Sequence, residues 1–309
     1  MPRWAGPRLT AAEKRLKKKM YDQQRKAARR NDVRQAELAE TTTRYAPLPE
    51  LPMVVPVEGP AHGIKIAVLT DAQVKPGVPI DHLAACGRYL AEIRPAVIVC
   101  IGDFADMGSL STYEAAGSLE TEGVRYADDI AAVRAAMTTF LAPIRAAKGY
   151  RPKLIMLLGN HEDRITRAIN SDPRKLKGVI SLHDLGYDAA GWDVYPFLQP
   201  VTIGGVCFNH YFPSGVMGRP ITTARALLQK MHMSCFAGHL QGRDIAYSKR
   251  ADGASITAII SGSFYQHDEH YLSPLANCHW RGMFVLNQVK NGEFDEMAIS
   301  VDYLLRKYA

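Results

Sequence analysis

The sequence predicts an α/β fold that starts with a parallel sheet and continues into a β-rich second half. Strand-like and helix-like segments alternate between residues 64 and 158, and the strand segments there are short, continuous apolar runs. After residue 193 the chain changes to short β-type runs separated by turn residues. The alternation in the first half requires parallel strand pairing through right-handed crossovers.

The composition argues against a membrane protein, a secreted protein and a small protein built on disulfides or zinc. The chain has 309 residues and 47% apolar residues, enough for one large or two ordinary domains with a sizeable core. Its five cysteines are scattered and never spaced C-x-x-C, which favours buried thiols in a reducing cytosol over a disulfide or zinc framework. No apolar run approaches the roughly 20 residues of a membrane span, and no apolar segment follows the basic N-terminus as in a signal peptide. A cytoplasmic protein without a membrane partner is therefore expected.

The positive charge lies at the N-terminus. Residues 1–40 hold 12 Lys and Arg against 5 Asp and Glu, whereas the remainder holds 26 of each sign. A capping-box spacing at Thr10–Glu13 and the absence of Gly and Pro to about Glu40 predict a solvated helix, so that residues 1–45 form a basic helical arm. The arm could contact DNA or RNA phosphates, or it could be a solvated tail. The Pro-rich residues 46–62 are expected to form a linker with little structure before a domain at 63–309.

The first-half strands each end on polar residues. The predicted elements are a strand at 64–70 followed by Asp71-Ala72-Gln73, a helix at 81–94, a strand at 97–101 followed by Gly102-Asp103, a helix at 126–148, and a strand at 153–158 followed by Gly159-Asn160-His161-Glu162. Because the carboxyl ends of parallel strands meet at one edge of a sheet, Asp71, Asp103 and Asn160 should lie together.

The second half adds two more polar strand ends. Predicted strands are 193–197, 200–204, 205–210, 234–237, 244–249, 256–262, 282–290 and 293–301, with a helix at about 221–232. Gly204-Gly205 and Asn291-Gly292 are hairpin signals, which indicate antiparallel or mixed pairing. His210 ends one of these strands, and Gly238-His239-Leu240-Gln241 follows another.

Carboxylates, amides and imidazoles at five strand ends are metal-ligand types. Mixed oxygen and nitrogen donors suit divalent Mn, Fe, Zn or Mg. A carboxylate such as Asp103 can bridge two ions, and two ions about 4 Å apart can hold a phosphate and activate a water for in-line attack.

In this order the motifs resemble those of the calcineurin-like metallophosphoesterases, whose pattern is D-x-H, G-D, G-N-H-[DE], a lone His and G-H-x-H. The resemblance covers roughly residues 64–300. It implies a four-layer sandwich of two mixed β-sheets flanked by helices. It also implies divalent-metal-dependent hydrolysis of a phosphoester by metal-activated water.

Carried over residue by residue, the resemblance implies one complete metal site and one altered site. The complete site is formed by Asp103, Asn160, His210 and His239, and the altered site by Asp71, Gln73, Asp103 and Gln241. Glutamine stands at 73 and 241 where the family has histidine. A Gln carbonyl binds more weakly than imidazole and favours harder ions, so Mn²⁺ is expected first, with Mg²⁺, Fe²⁺ or Zn²⁺ as alternatives.

The resemblance further implies two catalytic roles, for Asp103 between the ions and for His161 at the leaving oxygen. Substrate contacts are expected from Asn160, His161 and Arg164. Asp106 is a weaker candidate for orienting another group, and the polar run 266–270 lies outside the family pattern.

The substrate stays open between a nucleic-acid phosphodiester, as in the nuclease branch of the family, and a small nucleotide or metabolite. An inactive metal-stabilised binding protein is the third interpretation. The sequence does not determine the oligomeric state.

Overall fold

The computed structural model describes residues 10, 14–15, 17–23, 25–26, 53–112, 123–269 and 273–308. The chain divides into two compact units, Met1–Glu50 and Leu51–Ala309. In the first unit, the described residues between 14 and 26 are helical and exposed, as predicted for that stretch, and the rest of the predicted arm lies outside the described residues. Within the described chain, no helix is both long and apolar enough to cross a membrane.

The second unit contains the strands and the remaining helices. The strands are β1 (Met53–Val54), β2 (Ile64–Leu69), β3 (Val97–Cys100), β4 (Lys153–Leu157), β5 (Asp193–Tyr195), β6 (Val201–Ile203), β7 (Val206–Asn209), β8 (Pro213–Ser214), β9 (Arg219–Pro220), β10 (Cys235–Ala237), β11 (Asp244–Lys249), β12 (Ser255–Ile260), β13 (Gly282–Lys290) and β14 (Glu293–Ser300). The helices are α1 (Asp81–Ile93), α2 (Tyr126–Ala146), α3 (Asp163–Ser171), α4 (Pro173–Leu176), α5 (Ala224–Met231), α6 (Pro274–Asn277) and α7 (Val301–Tyr308).

The described strands form two six-stranded mixed sheets and a small β8–β9 hairpin. Sheet 1 has the order β14-β13-β2-β3-β4-β5, in which β2 to β5 pair in parallel as the alternation predicts. Sheet 2 has the order β1-β6-β7-β10-β12-β11, with β10 parallel to both β7 and β12. The carboxyl ends of β2, β3 and β4 therefore share one edge, and those of β7 and β10 share another.

The two sheets pack face to face with helices outside, which gives the expected four layers. Along β2, Ile66 and Val68 face the core between the sheets, whereas Ala67 and Leu69 face the core on the helical side. This alternation follows from the two-residue period of a strand. The inter-sheet core includes Phe208, Phe236 and Phe284. Residues of α1, α2 and α7 cover sheet 1, and residues of α5 cover sheet 2.

One expectation about the elements needs correction, and helices α3, α4, α6 and α7 were not predicted. The predicted linker at 46–62 contains β1, which pairs with β6 at the edge of sheet 2, and Val55 beside it is buried. Prolines 52 and 56 flank this apolar run, and proline is tolerated at a sheet edge. The C-terminal helix α7 was not predicted, because its eight residues directly follow β14 without a turn signal.

Both predicted hairpin turns are confirmed, and they contact each other. Gly204-Gly205 joins β6 to β7, and Asn291-Gly292 joins β13 to β14; all four residues have positive φ. The Gly292 N–H donates to the carbonyl of Gly204 at 2.8 Å. A Cβ on Gly205 would lie 2.3 Å from the Gly292 nitrogen, so only glycine fits there. This contact ties the sheets at the end opposite the polar strand ends.

Candidate metal centre

The polar strand ends of both sheets converge at one place, where the backbone is strained. Positive φ angles occur at Asp71 (47°), Gln73 (43°), Asp103 (52°), His239 (68°) and Gln241 (58°). Positive φ is uncommon for residues other than glycine, and such strain concentrates at functional sites. These five positions are among those that the sequence pattern assigns to the metal sites.

A glycine precedes the ligand at three of the five strand ends, and the space there admits no Cβ. A Cβ on Gly159 would lie 2.1 Å from Asp103 Oδ1, and one on Gly238 would lie 2.5 Å from Asp71 Oδ2. A Cβ on Gly102 would lie 2.6 Å from the Cα of Gly159. The G-D, G-N and G-H pairs therefore let the strand ends approach closely enough for their side chains to meet.

Four side chains bring donor atoms to a common point. Ligand atoms of Asp103, His210 and His239 all lie within 4.8 Å of one another. Asn160 Oδ1 lies 2.9 Å from His210 Nε2 and 2.8 Å from His239 Nδ1. Asp103 Oδ2 lies 3.3 Å from His210 Nε2. A carboxylate, an amide oxygen and two imidazoles fit a divalent transition-metal ion. The structure thus brings together all four residues predicted for the complete site.

Burial and mutual contact set the charges of this group. Burial lowers the pKa of His210, but the Asp103 carboxylate outweighs that effect and the pKa rises to about 9. Burial raises the pKa of Asp103, whereas His161 and His210 lower it, leaving it well below its usual range. Burial and then His210 lower the pKa of His239 to about 4.

His161 lies beside this group and is held by Asp106. Its Nδ1 is 2.8 Å from Asp106 Oδ1, and its Nε2 is 3.7 Å from Asp103 Oδ2. Its backbone N–H donates to Asp103 Oδ1 at 2.9 Å. Burial lowers the pKa of His161, but Asp103 and the Asp106 hydrogen bond raise it above the usual value. Asp106 therefore orients the ring so that Nε2 faces the centre.

Arg164 contacts the same loop. Its Nη1 donates to the Asp106 carbonyl at 2.9 Å, and its Nη2 lies 3.4 Å from His161 Nε2. The side chain is buried. These contacts place Arg164 beside His161, and its predicted substrate contact stays a prediction.

Glu162 is buried beneath the centre and fixes two of its loops. Its carboxylate accepts hydrogen bonds from the N–H groups of Asp103 at 2.9 Å, Ala105 at 2.9 Å and Gly159 at 2.8 Å. The Tyr187 hydroxyl donates to it at 3.1 Å. Burial and then Asp103 raise the pKa of Glu162, while the backbone donors act in the opposite direction. Sequence reasoning included Glu162 in the motif but gave it no role.

Of the residues predicted for the altered site, Asp71 and Gln73 contact the same centre, and Gln241 contacts Tyr265. Asp71 Oδ2 accepts the His239 N–H at 2.9 Å, and burial raises the pKa of Asp71 to about 7. The Gln73 N–H donates to the Asp103 carbonyl at 2.8 Å. Gln241 Oε1 accepts from the Tyr265 hydroxyl at 3.0 Å. Backbone bonds and a bond to Tyr265 therefore position this set, whereas direct side-chain contacts join the other set.

Two further groups escaped sequence reasoning. Tyr265 contacts Gln241 but belongs to no motif. Glu269, in the polar run 266–270, forms an ion pair with Lys75 at 2.9 Å, and Lys75 lies 3.8 Å from Asp106. The richness of that run in ionisable residues was the one available signal.

No family model matches the sequence, and no curated protein sequence matches it. Among solved structures, the chain resembles a dimetal phosphatase from Danio rerio with a TM-score of 0.37 and 11% identity, over 77% of this chain and 99% of that one. A likeness at that level assigns neither fold nor function, both of which rest on the residues described above.

Proposed function

We propose that this chain is a divalent-metal-dependent phosphoester hydrolase of the metallophosphoesterase type. The observation that carries the proposal is the convergence of donor atoms from Asp103, Asn160, His210 and His239 at the facing edges of two sheets. These residues come from four separate strand ends. A structural polar cluster would not require glycine before three of them and positive φ at two of them.

Each residue of the site has a proposed role. Asp103, Asn160, His210 and His239 hold the firm metal site, with Asp71, Gln73 and Gln241 completing a weaker one that shares Asp103. Bound divalent ions supply positive charge that stabilises the phosphoryl oxygens and activates water for attack. His161, held at Nδ1 by Asp106, presents Nε2 to the centre, where it can give a proton to the leaving oxygen. No Ser or Cys nucleophile is needed.

Hydrolysis of bis(p-nitrophenyl) phosphate with Mn²⁺ tests the activity. Asp103→Asn should lower kcat/KM by about a thousandfold, because the metal contribution is several kcal/mol and each 1.4 kcal/mol is a factor of ten. Asp252→Asn, at an exposed turn, is the matched control. Metal binding without turnover for any divalent ion would favour the metal-stabilised binding protein instead.

The role of the basic arm distinguishes the two substrate classes. If the protein is a nuclease, the 12 Lys and Arg residues of residues 1–40 would bind the phosphates of DNA or RNA. The charge balance of the remaining residues favours a small nucleotide or metabolite, because a nuclease groove is usually basic. Removing residues 1–45 should lower nucleic-acid affinity and its salt dependence if the arm binds; unchanged values would favour the small substrate.

The metal preference is tested at the two glutamines. We propose Mn²⁺, or Mg²⁺ as the harder alternative, because amide oxygens replace imidazoles at 73 and 241. Gln73→His combined with Gln241→His should shift the preferred ion toward Zn²⁺ or Fe²⁺. An unchanged metal profile would contradict this assignment.

A further inference from the structure

Gln241 is held by a tyrosine that no motif contains. The Tyr265 side chain is fully buried, and its hydroxyl lies 3.0 Å from Gln241 Oε1 and 3.2 Å from His279 Nε2. The His267 ring stacks on the Tyr265 ring with a centroid distance of 4.5 Å, and the Arg281 guanidinium lies 5.0 Å from the ring centroid. These contacts hold the Tyr265 ring in place.

The neighbours of Tyr265 decide where its proton goes. His279 Nδ1 lies 2.9 Å from the Ala276 carbonyl, which can only accept, so Nδ1 carries the ring proton and Nε2 is an acceptor. Ser263 Oγ lies 2.7 Å from that Nε2, closer than Tyr265, and donates to it. The Tyr265 hydroxyl therefore donates to Gln241 Oε1 rather than to His279 Nε2.

We infer that Tyr265 is the positioning residue of the weaker metal site, which fixes the Gln241 carbonyl oxygen for a divalent cation. A carbonyl oxygen has two lone pairs, so Oε1 can accept the phenol proton and bind a cation at once. Gln is more flexible than the His that the family has at this position, and ordering it costs rotamer entropy. A rigid donor that orders Gln241 beforehand removes part of that cost. This inference rests on the proposed function.

Calorimetric titration of the metal-free full chain with Mn²⁺ tests it without using activity. The unaltered chain should show a tight and a weak binding step. Tyr265→Phe should weaken the weak step by roughly tenfold, the lower end for residues that orient a metal ligand, and leave the tight step unchanged. Tyr150→Phe is the matched control, because it removes a buried hydroxyl that bonds the Pro95 carbonyl, before β3 and away from the strand ends.

Two further variants separate positioning from folding. Ser263→Ala frees His279 Nε2 to take the Tyr265 proton, so it should also weaken the weak step while Tyr265 stays in place. In a Gln241→Leu background, Tyr265→Phe should cause no additional loss, since both act through one amide. Circular dichroism checks the fold of each variant, and Ser263→Ala decides the matter if Tyr265→Phe does not fold.

The outcomes distinguish this inference from the proposed function. If the unaltered chain binds two ions and hydrolyses phosphodiesters but Tyr265→Phe and Ser263→Ala bind like it, only the inference is overturned. The inference alone is also overturned if the unaltered chain hydrolyses phosphodiesters but shows a single Mn²⁺-binding step. It is likewise overturned if Tyr150→Phe weakens the weak binding step as much as Tyr265→Phe does. Absence of any Mn²⁺ binding and of turnover with every divalent ion would overturn both.

Discussion

A single buried carboxylate, Glu162, connects the loops that follow β3 and β4. Its two oxygens accept three backbone N–H groups and one phenol. Those N–H groups lie beyond the ends of β3 and β4, and buried donors must be satisfied somewhere. Glu162 therefore stabilises the backbone that presents Asp103 and Asn160.

Replacing this carboxylate by an amide should cost stability. In Glu162→Gln, an NH₂ group replaces one carboxylate oxygen and faces N–H donors. The buried N–H groups that bonded to that oxygen lose their acceptor, which lowers the free energy of unfolding by about 1–3 kcal/mol. Urea unfolding should show this loss in the free energy of unfolding. Tyr187→Phe, which removes only one of the four donors, should cost about 1 kcal/mol. Equal stability of Glu162→Gln and the unaltered chain would contradict this account.

Glu269 is a second buried carboxylate, and it makes the free energy of unfolding depend on pH at low pH. Burial raises its pKa, but hydrogen bonds from His267 and Lys75 outweigh this and lower it to about 2, from an ordinary 4.5. Because the folded pKa is the lower one, the stabilisation is present above pH 4.5 and is lost as the pH falls from 4.5 towards 2.

Glu269→Gln should remove this acid dependence. Between pH 5 and pH 3, the unaltered chain should lose on the order of 2 kcal/mol more of its free energy of unfolding than the variant. Chemical denaturation at several pH values measures the difference. Glu58→Gln, at an exposed position, should leave the pH profile unchanged. Parallel profiles for the unaltered chain and Glu269→Gln would show that the His267 and Lys75 contacts do not lower the pKa of Glu269 in solution.

At the level of elements, the strand ends of the centre depend on glycine. Gly159 follows the buried end of β4, and the side chain of Asp103 occupies the space where a Cβ would lie. The parallel order β2-β3-β4 then determines that Asp71, Asp103 and Asn160 lie on neighbouring strands. Strand pairing thus determines which side chains lie next to each other, and glycine determines how closely the strand ends approach.

Gly159→Ala should therefore abolish metal binding while the fold persists. Its Cβ would lie 2.1 Å from Asp103 Oδ1 and 2.4 Å from the Asp103 nitrogen, so the ligand must move. Mn²⁺ titration should show loss of the tight step, with a far-ultraviolet spectrum like that of the unaltered chain. Gly242→Ala is the control, because the nearest atom to its Cβ would be 3.9 Å away. Full Mn²⁺ affinity in Gly159→Ala would place the tight site elsewhere.

At the level of the whole molecule, metal binding should stabilise the fold, since it holds strand ends of both sheets together. A ligand that binds only the folded state adds about 2.7 kcal/mol at a hundredfold excess over its Kd. Mn²⁺ should raise the melting temperature, EDTA should reverse the rise, and Asp103→Ala should not respond. A chain lacking residues 1–50 should respond like the full chain, because Leu51–Ala309 is a compact unit of its own.

The sequence predicted the buried strands because they leave local signals, whereas the layers and the candidate ligand set were implied by the resemblance to a family. Apolar runs such as Ile64–Leu69 mark buried strands, and the polar residue types after them mark ligands. It did not predict Tyr265 or Glu269 as partners, because their contacts join residues 24 and 194 positions apart. Such pairs depend on how the loop after β12 packs, which no local pattern encodes.

The contact between the two hairpin turns changes what the surface of this protein can accommodate. A hairpin tip is ordinarily a place where inserted residues, tags or permuted termini are tolerated. Here Asn291-Gly292 and Gly204-Gly205 lie against each other, with the Gly292 N–H on the Gly204 carbonyl. An insertion in either turn would wedge the sheets apart at that end. Fusion or permutation is therefore better placed in the exposed Gly215–Gly218 turn of the β8–β9 hairpin, where a Cβ on either glycine meets nothing within 4 Å.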